Sequence, residues 1–470
     1  MIVDMNQRSK IAVVGYGVEG QAMLDYLVKN NFSNITVCDY NVTLKKKMPD
    51  GVSVRLGEHY LEGLEDFDVV FRSPGVNSAK PEFAKARMAG TVVTSSTQYF
   101  LEQVPCTVIG VTGTKGKGTT STLIYEILKA HFRGGRKSVF LGGNIGNSPI
   151  EFLDKLKRSS VVVLEMSCFQ LGDLQKSPKI AVILNTTTDH LDYYPDRGAY
   201  MQAKELILNH QDRDDLAVLN ADYPYVKYYK PLVKGGVKLV SVKGRRVEDG
   251  VQVKDGTIYY VTDGKEEKIM PVSKIALVGS HNLENVGPAI VVAKEFGVTA
   301  KAIAKVVAKF KGLPHRIEFV GRKKGVAYYN DSFSTNPMTS VAAIDSFDEP
   351  TFLIAGGSDK GLKYGVWAKR AVLKSSLKGV ILNGETAMTM KKALDRAGAG
   401  KKGSGMKVVV VDDLESAFAK AREMAEKASK TVRKRKGGAK GAVVVMSPAA
   451  ASFDQFSNYK ERGKKFGKMV

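Results

Sequence analysis

The sequence predicts an α/β protein of three consecutive domains, and three observations lead there. Short β-branched runs alternate with amphipathic stretches along most of the chain, the pattern of parallel α/β layers. Two glycine-rich turns each follow such a run and open a helical stretch. The length of 470 residues suits two to four domains at about 100–200 residues each. With 43% hydrophobic and 25% charged residues, the composition is that of a globular chain, which sets aside disordered and fibrous classes.

Taken in order, IAVVG leads through GYGVEG into the helical AMLDYLVKN and the strand ITVCDY, a βαβ unit ending near Asp39. VVFRSPG and TVVTS extend the layer. After QVPC, where Pro105 interrupts pairing, TVIGVTG opens a second domain, continued by SVFLGG, VVVLEMS and IAVILN. Residues 224–275 carry turn signals at DG and VTDG and predict a small antiparallel β insertion. The helical TAKAIAKVVAKFKG stops before KGLPHRIEFV, where a third domain begins. The expected domains are 1–103, 104–312 and 313–470.

The net charge is +23, and residues 301–470 hold 34 Lys and Arg against 15 Asp and Glu. No recognition motif or interleaved aromatic pattern accompanies that charge, so it reads as a solvated basic surface, with no nucleic acid as a specific partner. No apolar run approaches the roughly 18 residues of a membrane span. The polar MNQRSK passes into IAVVG without the apolar core of a signal peptide, and the expected location is the cytoplasm. Cys38, Cys106 and Cys168 lack metal or disulfide spacing and read as small buried hydrophobes.

Gly15-x-Gly17-x-x-Gly20 follows a strand, opens a helix and precedes Asp39 at the end of the next strand. Such glycines let a diphosphate approach the helix N-terminus, and the acid is placed to accept from a hydroxyl, so this first domain is Rossmann-like. A dinucleotide-dependent oxidoreductase is the default reading of that motif alone. The second motif, Thr112-Gly113-Thr114-Lys115-Gly116-Lys117-Gly118-Thr119-Thr120, is an ATP phosphate loop between strand and helix. Its consecutive N–H groups and helix dipole make an anion nest, and Lys117 reaches the β/γ-phosphates. Val111 stands at the usual first glycine and Gly118 at the usual Mg²⁺-holding hydroxyl, so Thr119 or Thr120 must supply one. Glu165 closes one strand; Asp189, His190 and Asp192 follow another, where Mg²⁺ ligands belong in an open sheet. Lys204, on a helix, would on general grounds be a surface residue.

GVTGTKGKGTT, LGGNIG, LEMSCFQL, ILNTTTDHLDYY, YMQAKELI, SHNLEN, GLPHRIE, NDSFSTN, GGSDKG and SPAAASFDQFSNYKERG, in this order, resemble the motifs of the Mur ligases over essentially the whole chain. GGNIG and the last motif point to the member that joins D-glutamate to UDP-N-acetylmuramoyl-L-alanine. The resemblance implies an ATP-dependent ligase of peptidoglycan precursor synthesis that works through an acyl phosphate as a monomer, with a P-loop ATPase-like central domain and a Rossmann-like α/β C-terminal one. It implies that Gly15, Gly17, Val18, Asp39, Ser73 and Gly75 cradle the UDP end, and that Asn144, Ser167 and Gln170 face the muramoyl-alanine. Gly113, Thr114, Gly116, Lys117, Gly118 and Thr119 would hold the ATP phosphates, Asn282 and Asn285 the adenine, and Arg316 and Asp331 the γ-phosphate and ribose.

The same resemblance assigns Mg²⁺ to Thr119, Glu165, His190 and Lys204. Lys204 would be carbamylated, which turns a repelling ammonium into an anionic ligand. Thr335, Lys360, Ser452 and Tyr459 would form the D-glutamate pocket. Two positions depart from the family pattern there: Tyr459 stands for a usual Phe, and Phe333 for a usual lysine. The missing cation is expected to weaken acceptor binding, with improvement on Phe333→Lys. A different acceptor amino acid is one alternative. Folylpolyglutamate synthetases, which share a GKGS-like loop, are another, but they lack a counterpart of residues 1–103. A dinucleotide-dependent oxidoreductase leaves GTKGKGTT, Glu165 and the C-terminal motif unexplained.

Overall fold

The computed structural model describes residues 5–135, 137–186, 196–400, 405–436 and 441–470. Among these residues the strands form three sheets of five, nine and six strands, the three-domain α/β architecture expected.

The first sheet contains β1 (Ile11–Val14), β2 (Ile35–Asp39), β3 (Ser53–Leu56), β4 (Val69–Arg72) and β5 (Val92–Thr94), all parallel in the order β3-β2-β1-β4-β5. Every residue of β1 is buried because both faces of the sheet are covered, which is why its sequence is a continuous aliphatic run. Strand order reverses at β1, leaving a crevice between the C-terminal ends of β1 and β4.

The second sheet comprises β6 (Thr107–Thr112), β7 (Val139–Gly143), β8 (Val161–Glu165), β9 (Ile180–Ile183), β10 (Leu216–Asn220), β11 (Gly236–Ser241), β12 (Gly250–Lys254), β13 (Thr257–Thr262) and β14 (Lys265–Pro271). Its order is β14-β13-β12-β11-β10-β9-β6-β8-β7. The expected antiparallel insertion over 224–275 is corrected here: β11 and β12 continue the parallel sheet, and only β13 and β14 turn antiparallel. Parallel neighbours have no local turn linking them, so only the β12–β13–β14 meander left a sequence signal. One apolar cluster joins the first two sheets, from Ile11 and Phe71 through Phe100 to Phe152, Val162 and Leu219. Phe100 meets Phe152 edge-on at 5.8 Å.

The third sheet holds β15 (Glu318–Lys323), β16 (Val326–Asn330), β17 (Thr351–Gly356), β18 (Leu377–Asn383), β19 (Lys407–Val410) and β20 (Ala442–Met446), in the order β15-β16-β20-β17-β18-β19. Only β15 is antiparallel to its neighbour. Trp367 anchors the core on one face and Phe418 with Phe466 the other. Each such buried side chain contributes about 1.5–3 kcal/mol.

The chain divides into two compact units, residues 1–275 with 283–309, and residues 276–282 with 310–470. Cys38 and Cys168 are buried as expected, whereas Cys106 is only half-buried. No helix among the described residues is long and apolar enough to cross a membrane.

Candidate active site

The glycine turn after β1 is shaped by close contacts. Gly15 has φ +86°, and a Cβ there would lie 2.9 Å from the Val76 side chain and 3.0 Å from that of Ser73. The Ser73 hydroxyl donates to the Gly15 carbonyl at 2.6 Å, tying the ends of β1 and β4 across the crevice. A Cβ on Gly20 would sit 2.0 Å from the Gly15 carbonyl oxygen, so that glycine lets helix Val18–Lys29 pack on the turn. Gly17, the N-cap, and Gly75 have open space where a Cβ would point, and Val18 is 71% exposed. Asp39 accepts from the backbone N–H of Tyr16 at 2.7 Å and of Asn41 at 2.8 Å, so its carboxylate braces the turn.

Helix Cys168–Leu171 opens with a capping box: the Ser167 hydroxyl accepts from Gln170 N–H, and the Gln170 side chain accepts from Ser167 N–H. The Gln170 amide also donates to Glu19 at 2.6 Å, while Ser96 donates to the other Glu19 oxygen at 2.8 Å. Burial raises the Glu19 pKa above the ordinary carboxylate range, against these two bonds and the nearby Arg72. Arg72 forms a buried ion pair with Asp173. Residues expected to face the substrate thus also join the first sheet to the second, and Glu19, Ser96, Arg72 and Asp173 escaped the sequence reading.

The phosphate loop follows β6. In the register of β6 and β8, Val111 lies beside Glu165, so Val111 is strand and the loop starts at Gly113. Gly113 and Gly116 have φ of +147° and +87°; a Cβ on them would meet Leu184 at 2.7 Å and Asn285 Oδ1 at 2.0 Å. Gly116 caps helix Lys117–His131. Lys117 Nζ donates to the carbonyls of Gly113 and Thr114 at 3.0 and 3.2 Å. Thr114 N–H donates to the Asn185 carbonyl, and a network of Asn185, Tyr223, Tyr225 and Glu284 backs the loop. Sequence reading missed the two tyrosines, and Asn185 and Glu284 were carried only inside ILNTTTDHLDYY and SHNLEN. Asn285 sits on this loop: its backbone carbonyl accepts from the buried Thr120 hydroxyl at 3.3 Å. Gly118 and Thr119 are buried in the first helical turn. Asn282, also buried, donates to Val278 O at 2.7 Å.

Glu165 ends β8 beside the loop and accepts from Asn144 Nδ2 at 2.8 Å. Lys204 is 1% exposed, contrary to the general expectation for a helix lysine; it donates to Gly113 O at 3.2 Å and lies 4.4 Å from the Tyr200 ring centroid. Tyr200 in turn meets the Thr114 hydroxyl at 3.2 Å. Asp189, His190 and Asp192 lie outside the described residues. Among the described residues no cluster of three His, Cys, Asp or Glu side chains forms a ready cation site. A carboxylate at a strand end, level with Val111 just before the loop, nonetheless suits a phosphate-bound Mg²⁺, and among the described residues the buried Thr112 and Ser121 hydroxyls have no partner.

In the third domain three loops leave the C-terminal ends of β16, β17 and β20 and carry Asp331, Thr335, Lys360 and Ser452, while Arg316 precedes β15 and Tyr459 opens the last helix. Arg462 is 4% exposed and binds two of the loops: its Nε and Nη2 donate to the Ser332 hydroxyl and carbonyl, and Nη1 and Nη2 to the carbonyls of Ala451 and Ala450. Burial lowers its pKa to about 10. Asp331 is buried, accepts from Ser447 at 2.6 Å and from Ile317 N–H at 3.1 Å, and burial pushes its pKa up to about 6. Its carboxylate therefore braces the loops from within. Thr335 N–H donates to Phe333 O, and Ser452 is buried. Lys360 is exposed, its ammonium 5.1 Å from the Phe453 ring centroid. Arg316 lies 4.2 Å over the Phe333 ring, and Tyr459 meets that ring edge-on at 5.3 Å. Arg462 sits inside the quoted NYKERG motif, but nothing in the sequence marked it as a brace.

Residues 9–95 match the Mur ligase MurD-like N-terminal domain, 111–293 the Mur ligase middle domain and 315–434 the Mur ligase glutamate ligase domain. The UDP-N-acetylmuramoylalanine–D-glutamate ligase of Clostridium tetani is 33% identical, over 98% of this chain and 96% of its own. That of Symbiobacterium thermophilum is 37% identical over 98% of each. The crystal structure of the MurF ligase from Thermotoga maritima in complex with ADP superposes with a TM-score of 0.54 at 19% identity, over 99% of this chain and 97% of that one, a likeness of fold. Full-length similarity to the first two, together with three domain matches in sequence, means that the chain belongs to the Mur ligase family, among the UDP-N-acetylmuramoylalanine–D-glutamate ligases.

Proposed function

We propose that this protein uses ATP to join D-glutamate to UDP-N-acetylmuramoyl-L-alanine in peptidoglycan precursor synthesis, acting in the cytoplasm as a monomer. The observation that carries this reading is the 33–37% identity, over nearly the full length, to relatives named for that reaction. The three functional divisions run 1–103, 104–312 and 313–470. In the first, the open space at Gly17 and Gly75 supports a diphosphate beside the helix N-terminus. In the second, the glycine nest and Lys117 position the triphosphate, so that the γ-phosphoryl passes to the alanine carboxylate and gives an acyl phosphate. Hydroxide is a poor leaving group and phosphate a good one, so the glutamate amine can then displace it.

Lys117 neutralises charge that spreads over the transferring group, and its two loop carbonyls fix where the ammonium starts. Glu165, the Thr119 hydroxyl, His190 and a carbamylated Lys204 are the residues we assign to Mg²⁺; Thr120 is turned to Asn285. Bound there, Mg²⁺ would supply charge stabilisation on the phosphoryl oxygens. A carbamate on Lys204 would replace a buried cation beside Gly113 O with an anion suited to Mg²⁺. Lys360, Thr335, Ser452 and Tyr459 are assigned to the acceptor. The test is ADP release measured with UDP-N-acetylmuramoyl-L-alanine and D-Glu, L-Glu or other amino acids. Turnover with D-Glu alone is expected; release independent of the UDP substrate, or a preference for another acceptor, would refute the assignment.

A further inference from the structure

Phe333 is a large apolar side chain left 39% exposed at the end of a polar loop, and the ligase reading gives it no role. Its surroundings do. The Arg316 guanidinium carbon lies 4.2 Å from the ring centroid, and the Tyr459 ring closes against the same ring at 5.3 Å and 87°. The backbone beneath is equally constrained. His315 and Ile317, on either side of Arg316, have φ of +63° and +45°, and the left-handed region is strongly disfavoured for a β-branched residue. Phe333 N–H donates to His315 O at 3.0 Å, and Asp331 holds Ile317 N–H, so the strained turn is clamped on both sides of Arg316 by the segment that carries Phe333. Arg462 fixes that segment in turn at Ser332.

We propose that Phe333 is a positioning residue, its ring being the platform that orients the Arg316 guanidinium for fork-like capture of an oxyanion. The ring attracts the delocalised charge of the guanidinium, and the planar N–H fork of an arginine so held matches a phosphoryl group or a carboxylate. The oxyanion comes from one of two sources in the ligase reaction on which the proposal rests: the nucleotide's terminal phosphate or a carboxylate of the acceptor. The platform also reverses the expectation for Phe333→Lys, since a lysine would set a like charge against Arg316 where a ring now attracts it.

Calorimetry of ATP and of ADP, without other substrates, reads contact to the terminal phosphate, and the KM for D-Glu reads contact to the acceptor. Losing the ring in Phe333→Leu is expected to cost about 2- to 30-fold in one of these, the ATP-over-ADP preference or the D-Glu KM, and the parameter that moves identifies the oxyanion. Phe333→Tyr should restore it. Phe333→Lys should impair the same parameter at least as far, by a smaller ATP-over-ADP preference or a higher D-Glu KM, and serves if the leucine variant misfolds. In an Arg316→Ala background Phe333→Leu should change nothing further. Additive losses in that cycle, a tyrosine variant as impaired as leucine, or a lysine variant that improves binding would each overturn the proposal. If the wild type binds ATP but makes no product from D-Glu, the ligase reading fails while the calorimetric arm still tests the platform.

Discussion

The phosphate loop and the loops of the third domain both lie at strand C-termini, yet they are held by opposite means. Around Gly113 and Gly116 the backbone does the work, with left-handed glycines packed so closely on Leu184 and Asn285 that no side chain fits. In the third domain side chains do it: one buried arginine and one buried aspartate bind the loops, and His315, Ile317 and Ala449 occupy left-handed conformations without being glycine. Strain of about 1–3 kcal/mol at such positions persists only where surrounding bonds over-determine it. A backbone-built site should therefore lose activity without losing its fold when a ligand-facing side chain goes. A side-chain-braced site should lose both together.

The largest effect that separates the two is expected at Lys117. Lys117→Ala should lower kcat by about 10²-fold or more, because a charge-stabilising contact to the transferring group is lost. Its melting curve should overlay the wild type, since the backbone of the loop, and not this side chain, sets the loop's conformation. A variant that keeps a tenth of the rate, or that unfolds early, would remove the contrast. Lys204→Ala should also be largely inactive, with part of the activity returned by small carboxylic acids that stand in for a carbamate. Full wild-type activity with an unmodified amine, seen by intact mass in bicarbonate, would dismiss the carbamate.

Arg462→Met tests the other half. Removing a 4% exposed guanidinium takes the donor from the Ser332 hydroxyl and from the Ser332 and Ala450 carbonyls, while Ala451 O keeps the Ser358 N–H. Each buried group left unsatisfied costs about 1–3 kcal/mol, so a loss of about 3 kcal/mol or more in the urea transition of the third domain is expected. Arg462→Lys should recover part of the charge but not the fork. A methionine variant that melts like the wild type would show that the loops hold themselves.

The same contrast decides what could be read from sequence. The strands announced themselves because burial on both faces demands aliphatic runs such as Val161–Glu165, and the phosphate loop did so because its glycines follow one another. Gln170 was legible as a substrate residue only through resemblance; its bond to Glu19 joins positions 151 apart, and Arg72 to Asp173 spans 101. No periodicity reports such pairs. His315 and Ile317 were illegible for a related reason: a positive φ is signalled by glycine, and here distant bonds from Phe333 and Asp331 impose it. The contact of Phe333 with Arg316 left no local signal either, since the two lie 17 positions apart in sequence.

The smallest effect, and the one with a definite sign, concerns Asp331. Its pKa rises from 3.8 to about 6, chiefly because burial disfavours the charged carboxylate, although Ser334, Ser447 and the Ile317 N–H all favour it. The folded protein then binds this proton more tightly than the unfolded chain, so the group stabilises the fold fully below about pH 4 and loses that contribution as pH rises through 6. The displacement is worth at most about 3 kcal/mol. Asp331→Asn keeps an oxygen to accept from Ser447 or Ile317 and has no charge to bury. Its stability relative to the wild type should therefore improve between pH 4 and pH 7, by up to that amount, in parallel thermal melts. If the difference is flat across that window, Asp331 titrates alike in both states and the third domain is not braced by a reluctantly charged carboxylate. If it moves the other way, Ser447 and Ile317 stabilise the ionised form more than burial opposes it, and the side-chain brace would then be strongest at neutral pH.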